Sequence, residues 1–578
     1  MTRRHAARIV ATSERGAALV MALLALVVLT AFGLTLIGLG LTEVAISTNW
    51  RDYTKDFYAA EAALESGVVG LRTLLQGTPP SMVTQTTLNG IAPPTLNTPG
   101  TSFNVYSITP VIPFPNNTYN STFASGPYQG LFGIVSAYTI RAQVNGQSGT
   151  RADLAQTFQY TQVPLFQFGV FYGQGVDLEI APGPNMTFNG RVHSNSNIYV
   201  GAGSTLSFDS YMTTAGSVYR RLKRDSAIPW GNNPQIKEST GTYQTLNFDS
   251  QYQAGFSSPW GSAAAWAAQA TSTFKGMLKD SAMQVGQITP PIPDLFQNPA
   301  NPDVVARQMI EMPQAGDSAA LAAAKMYSQA GLRIVDGRVT DASGSGVTLP
   351  AGGVTTKTFW DAREGKTMTI TQLDIGVLRS AGALPANGIV YVAGTNLATN
   401  PTVRLVNGSQ LPSQGLTLVS QNPVYVQGNY NTVNKVPASI MGDAITVQSQ
   451  AWADSNLLAD PSKHYDALGD AAKGARPAAT TTVNAAFALG PAVESTMGEG
   501  NGQLENVIRF LEDWTSQTFH YNGSIISLWH STQATGQWNS TYYTPPSRDW
   551  NYDLMFNDTP PPGTPQGIII IRGRWSQS

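Results

Sequence analysis

From Ala17 to Thr42 the chain carries no charged residue and most positions are aliphatic (AALVMALLALVVLTAFGLTLIGLGLT). A bilayer core takes roughly 20 apolar residues of helix, so this run is long enough to span one. The pattern then changes without a turn signal. Trp50, Tyr53, Phe57, Ala60, Leu64, Gly67, Leu71 and Leu74 recur at alternating steps of three and four. On a helix that spacing makes one apolar stripe. Arg51, Asp52, Lys55, Asp56, Glu65 and Arg72 fall mostly off it. The first proline is Pro79. The pattern therefore predicts one helix from Gly16 to Gln76, uniformly apolar in its first half and two-faced in its second.

Beyond Pro79 the period shortens. Residues 77–165 read as a Pro-rich linker and a small β region. Within it, 131–163 alternate apolar and polar and form a hairpin pattern with Asn145-Gly146 at the turn. Over 166–220 and 381–452 the apolar runs shrink to about four residues separated by Asn, Gly and Ser. Ile198-Tyr-Val-Gly, Val390-Tyr-Val-Ala-Gly394 and Val424-Tyr-Val-Gln-Gly428 are near copies. Short strands parted by polar turns are what the rungs of a β-solenoid require, each burying its inward residues only against a neighbour. A β-sandwich would use the same strands and is the alternative.

Residues 221–380 read as a helical and loop insertion. Ser262–Met283 and Ala319–Ala330 have helical composition, and Leu332–Val339 is a hairpin pattern around Asp336-Gly337. Residues 453–578 read as a C-terminal α+β cap. In it Asn506–Trp514 (NVIRFLEDW) places Val507, Phe510, Leu511 and Trp514 on one helical face. Such a cap would cover the open strand edge of a solenoid, which otherwise invites aggregation. The fold class is thus mainly β with a long N-terminal α-helix.

Composition narrows the chemistry. The net charge is −2 and only 12% of the 578 residues are charged, so nothing after the leader argues for nucleic acid. The densest positive run, Arg220-Arg221 with Lys223-Arg224, is followed by Asp225 and reads as a solvated loop. With no cysteine, disulfides, thiolate metal sites and a cysteine nucleophile are excluded. His193, His464, His520 and His530 lack metal-ligand spacing. Gly498–Gly502 lacks the lysine of a phosphate loop and reads as a turn. No cofactor is called for. The carboxylates worth testing for sugar cleavage are Asp177 with Glu179, Asp443, and Glu512 with Asp513, the last pair on the solvated face of a helix. Trp529, Trp538, Tyr542, Tyr543, Trp550 and Tyr552 crowd the C-terminal region and could stack on a glycan or pack a cap.

Arg3, Arg4, Arg8 and Arg15 precede the apolar run and should keep the N-terminus cytoplasmic in a single-pass arrangement. The junction Glu14-Arg15-Gly16 followed by Ala17-Ala-Leu-Val-Met-Ala-Leu-Leu resembles a class III, type IV pilin-like signal. Phe57-Tyr58-Ala59-Ala60-Glu61-Ala62-Ala63-Leu64-Glu65 is similar to the helix of PilX-like minor pilins. The resemblance covers about the first 75 residues. It implies a leader of residues 1–16, cleavage after Gly16 by a prepilin peptidase, a new N-terminus at Ala17, and a helix of 17–76 that packs on a strand pair. It also implies other pilin-like subunits as partners and a location in the inner (cytoplasmic) membrane with the bulk exported. Met21 stands where the family usually carries glutamate, which implies a tip or priming subunit or an assembly factor rather than a shaft subunit. The expectation is a non-enzymatic envelope protein of a type IV pilus or type II secretion-like machine. A surface adhesin binding a glycan or other surface ligand, and a membrane-tethered carbohydrate-active enzyme, are the alternatives.

Overall fold

The computed structural model describes residues 14–77, 83–97, 99–115, 117–124, 128–146, 149–173, 176–223, 230–247, 262–454, 476–493, 503–538 and 542–577. The expectations placed on the leader before Glu14, on Pro79-Pro80, on Arg224-Asp225, on His464 and on Gly498–Gly502 lie outside the described residues. The chain divides into two compact units. The first comprises 1–118, 136–160 and 570–578, and the second 119–135 and 161–569.

In the first unit, helix α1 (Glu14–Gly77) runs without a break. No proline interrupts its backbone ladder. A short helix, Gln85–Asn89, follows, started by a capping box in which Thr84 and Thr87 each satisfy the other's backbone N–H. Strands Ser102–Pro110, Phe132–Asn145, Arg151–Pro164 and Gln566–Gln577 lie in that order in one sheet. The first two are antiparallel, with Ile108 opposite Ile140. The hairpin read from 131–163 is present, and its first strand ends at Asn145. The closing strand was not read from the sequence. Residues from Ile570 onward belong to the first unit although more than 400 residues of the second precede them in the chain.

The second unit is mostly strands in several open sheets, none closed into a barrel among the described residues. The largest has eleven strands. Leu278–Lys279, Met212–Thr214, Val192–Ser194 and Val170–Tyr172 are followed by Ile525–Ser527, Ala486–Ala488, Ala438–Met441, Leu416–Val419, Ile389–Ala393, Leu332–Val335 and Arg338–Asp341. All neighbours are parallel except the last pair. The sheet has two arms. One leaves Val170 and proceeds outward to Leu278. The other begins at Leu332 and returns inward until Ile525 pairs with Val170 and Ile526 with Phe171. Both faces of this sheet are covered. Val170, Val192, Val390, Leu418, Ile440 and Ile525 join one apolar cluster, whereas Phe171, Tyr391, Val419, Met441 and Ile526 join a second that includes Ile288, Phe296, Met309 and Met326. Two-sided burial explains continuous apolar text such as Ile389-Val-Tyr-Val-Ala393.

Over 178–219 the ladder partners step by twenty residues, in three different sheets. Leu178, Ile198 and Val218 share one ladder, Met186 and Leu206 a second, Val192 and Met212 a third. Phe188 stacks on Phe208 with ring centroids 5.4 Å apart, and Tyr199 on Tyr219 at 4.8 Å. The near-copied phrases, by contrast, are not equivalent. Ile198–Val200 sits in a three-stranded sheet, Ile389–Ala393 in the eleven-stranded one and Val424–Gln427 in a six-stranded one. Ile389–Ala393 and Val424–Val426 are buried at every position, whereas in Ile198–Val200 the central Tyr199 is only half-buried.

Several local expectations differ from the structure. Ser262–Met283 is helical only over Ala263–Phe274 and then supplies the strand Leu278–Lys279, and Ala319–Ala330 is two short helices, Ala319–Ala324 and Met326–Gln329. Asn506–Trp514 is not a helix. Leu504–Asn506 forms one 3-10 turn, and Ile508–Arg509 is a strand paired with Ile445–Thr446. Phe510 and Trp514 enter one apolar cluster and Leu511 another, so the segment is covered on two sides where a surface helix would bury one. The sequence reading also passed over Val354–Asp361 and Lys366–Asp374, an antiparallel hairpin that starts the six-stranded sheet. The Asp336-Gly337 turn is as read. Val335 faces Arg338, and φ is positive at both turn residues, +48° and +80°, as a tight two-residue hairpin turn requires.

Candidate assembly interface on the long helix

Helix α1 presents two surfaces in sequence. From Leu19 to Trp50 its large apolar side chains are exposed, Leu29, Leu34 and Trp50 among them. None of its most apolar window is covered by the rest of the chain. Between Ala17 and Thr42 its side-chain hydroxyls are satisfied within the helix. The hydroxyls of Thr30, Thr35 and Thr42 donate back to the carbonyls of Leu26 (2.6 Å), Ala31 (2.8 Å) and Gly38 (2.8 Å). A helix with every polar group satisfied within itself can enter hydrocarbon without an unpaired donor. This half is long and apolar enough to cross a membrane.

The second half is docked on its own sheet. Asp56, Ala60, Ala63, Leu64, Gly67, Val68, Leu71 and Leu75 are buried, at helical spacing. The predicted stripe is right at Ala60, Leu64, Gly67 and Leu71. It fails at Trp50, which is exposed, and at Asp56, which was placed off it. The Asp56 carboxylate accepts from Thr150 Oγ1 at 2.5 Å, and a Cβ at Gly146 would collide with it, so glycine there makes room for the acid. Gly67 permits the closest approach of helix and sheet. A Cβ on it would lie 2.9 Å from Tyr106 Oη and 3.0 Å from Ile140 Cδ1. Tyr160, buried, donates its hydroxyl to the Val68 carbonyl at 2.9 Å. Behind this surface Arg141 holds Asp153 through a paired contact of 3.0 and 2.7 Å, with Gln143 and Arg151 donating to the same acid. Arg141 beside it keeps the Asp153 carboxyl well below the usual range. The closing strand adds Arg572, paired with Glu65 at 2.5 and 2.9 Å, and Trp575, whose ring lies 6.5 Å from Phe57.

The predicted site residues therefore divide. Gly16 and Ala17 lie exposed at the start of the helix, and open space surrounds Gly16. Within the Phe57–Glu65 motif, Ala60, Ala63 and Leu64 face the sheet, Phe57, Ala59 and Glu65 lie at its margin, and Tyr58, Glu61 and Ala62 face outward. Asp56, Tyr160 and Arg572 complete the docking and were missed. Polar residues in a sequence carry no sign that their partners lie about 90 or 500 positions away.

The other candidates are consumed by the fold. His193 is fully buried, stacked on Phe171, and bonded to Thr213 and to Asn195 at 2.8 and 3.0 Å. Burial pushes its pKa down to about 4. His520 pairs with Asp549 at 2.8 Å and His530 with Asp303 at 2.6 Å. Asp177 accepts from the backbone of Asn197, and Glu179 from that of Lys223. Asp443, fully buried, caps the backbone N–H groups of Thr532, Gln533 and Ala534 and pairs with Arg307 at 2.9 Å. Glu512 is not on a solvated helix face. It is buried, accepts from Ser449 N and Oγ at 2.6 Å, and is raised to about 7 by burial. Asp513 caps Thr515.

The basic run is not a solvated loop either. Arg220 is buried and donates to Asn233 Oδ1 and the carbonyls of Trp230 and Gly231. Of the C-terminal aromatics, Trp529, Tyr543, Trp550 and Tyr552 are buried, and Trp538 and Tyr542 are half-buried. They pack a core and offer no stacking platform. Among the described residues no group of three His, Asp or Glu side chains could hold a metal ion.

The geometry defines a class before any comparison is made. An apolar helix able to span a bilayer continues directly into a helix docked on its own sheet, which fits a single-pass membrane anchor that carries a folded unit. The comparison makes it particular. Residues 15–65 match the family model described as PilX N-terminal, so this is a PilX-like type IV pilin N-terminal segment. The match points to a pilin-like component of a type IV pilus, associated with a membrane and with other pilus subunits, and fits a structural protein. No curated protein and no solved structure matches the chain.

Proposed function

We propose that this chain is a non-enzymatic minor subunit, at the tip or in priming, or an assembly factor, of a type IV pilus or type II secretion-like machine. The observation that carries the reading is the division of helix α1 into an uncovered apolar half and a half docked on its own sheet. The first half is free to occupy the inner membrane and then the apolar core of a filament, while the second fixes it to the exported mass. In this reading residues 1–16 are a leader, a prepilin peptidase cuts after Gly16, and Ala17 becomes the mature N-terminus. Met21 supplies no carboxylate to pair with a neighbour's terminus, which favours one or a few copies over a repeating shaft.

The exported part is, in this reading, a solenoidal, β-rich ectodomain over 166–220 and 381–452. It carries the small β region of 77–165, an insertion at 221–380 and a cap from 453. The twenty-residue step over 178–219 supports rung-by-rung stacking. The carboxylates of Asp177, Glu179, Asp443 and Glu512 are spent on backbone N–H groups, which supports a passive surface over a carbohydrate-active enzyme.

The test is the mass of the mature chain in cells with and without the peptidase. Loss of residues 1–16 in the first and full mass in the second, or in a Gly16→Leu variant, is the expected result. An identical mass in both strains would sink the pilin-like processing.

A further inference from the structure

One surface of the second unit is built in a way that neither anchoring nor packing explains. Strands Thr481–Asn484, Thr518–Gly523 and Ser547–Tyr552 form a parallel sheet in strict register. Their inward residues, such as Val483, Phe519, Tyr521 and Trp550, are core. Their outward residues form two rows across the strands. One row is Thr482, His520 and Asp549, and the other is Asn484, Asn522 and Asn551. Asparagine and aspartate are depleted from strands, so three asparagines in one register row are an unfavourable choice for a surface that has only to be wet.

An open groove of about 600 Å³ runs over this face. The row is held at its ends. Asn484 Nδ2 donates to the Asn431 carbonyl at 2.9 Å. Asn551 accepts from Asn189 at 3.1 Å and donates to Asp549 at 3.0 Å. Asn522, between them, makes no side-chain hydrogen bond among the described residues and faces the groove with donor and acceptor both available. Each carboxylate of the groove has a side-chain partner within it. Asp549 pairs with His520 at 2.8 Å, and Asp553 with Lys435 at 2.8 Å. Leu554, two-thirds exposed, adds an apolar patch to the lining.

We propose that this face binds a neutral oligosaccharide, lying across the strands along the asparagine row. An amide offers a donor and an acceptor side by side, the complement of two adjacent sugar hydroxyls. Adjacent strands repeat that offer every 4.7–4.9 Å or so, near the length of one pyranose ring. With Lys435 already paired to Asp553, the groove offers no free lysine to an acidic ligand, and Leu554 can meet the C–H face of a ring. The site differs from the buried tryptophans and tyrosines, and it does not depend on the pilin-like reading.

The test uses the full chain in detergent, screened on immobilised neutral and acidic oligosaccharides, with titration calorimetry of the best neutral binder. Binding to at least one neutral oligosaccharide is expected. Asn522→Ala should weaken it by about tenfold, the effect of one or two lost hydrogen bonds. Because the Asn522 amide contributes no bond to the fold, the melting temperature of the variant should equal that of the parent. No neutral binder, binding confined to acidic glycans, or unchanged binding by a normally folded Asn522→Ala protein would each overturn the proposal.

Discussion

Leu29 and Leu71 lie on the same helix, 42 residues apart, in the same backbone conformation. Leu29 is 69% exposed and Leu71 is fully buried. Hydrophobicity alone does not separate them. What differs is whether the chain supplies a cover, and whether the helix is shaped to accept it. In the docked half the contact face includes Ala60, Ala63 and Gly67, small enough to let strands carrying Tyr138, Ile140 and Tyr160 come close. In the free half leucine and valine are distributed all round, which suits lipid or many neighbouring helices and no single partner.

The contrast can be broken most severely at Ala63. Ala63→Glu would put an unpaired charge into a fully covered position, and its cost should exceed about 3 kcal/mol. The cooperative melt of the first unit should be lost, with new proteolytic cuts between Gln85 and Pro110, whereas Ala25→Glu should leave that melt unchanged. A milder pair sharpens the same point. Leu71→Ala should cost about 2–5 kcal/mol through the cavity it leaves, while Leu29→Ala should change the melt in micelles by less than about 0.5 kcal/mol.

Acid should act on the docked half through Asp153. Its carboxyl is held below the ordinary value of 3.8 by Arg141, so the folded form binds its proton more weakly than the unfolded chain does. The stabilisation is present above pH 3.8 and is lost as pH falls below it. Urea midpoints of the first unit should drop progressively as pH falls from about 4 towards 2, and Asp153→Asn should flatten that drop. The smallest effect is expected at Glu65 and Arg572, both about half exposed. Arg572→Ala should cost no more than about 1 kcal/mol and less still in high salt.

Much of this division was legible in the chain. An uncharged run followed by three-and-four spacing marks a helix and its two characters because both signals are local. Asp56 defeated the reading because polarity alone assigns an acid to solvent, and only the fold brings Thr150 and Gly146 to it. The closing strand defeated it for a similar reason. Gly567-Ile-Ile-Ile-Ile571 announces a strand but not its neighbour. The twenty-residue step was present in Phe188 and Phe208, and in Tyr199 and Tyr219, whose rings stack. It was overlooked in favour of repeated Tyr-Val phrases, which reflect two-sided burial and belong to three different sheets. The outer asparagine row was not legible at all, since the register of strands some 30 to 40 residues apart aligns it.

Arg572 meets Glu65 across 507 positions of chain. At about 5–20 residues per second of synthesis, the strand Arg151–Pro164 waits on the order of half a minute or more for the strand that completes its sheet. During that interval the outer edge of Arg151–Pro164 has no strand beside it, and a chain stopped short of Ile570 never covers that edge. The closing strand thus pairs late, and a truncated chain keeps an open sheet edge that the finished molecule has covered.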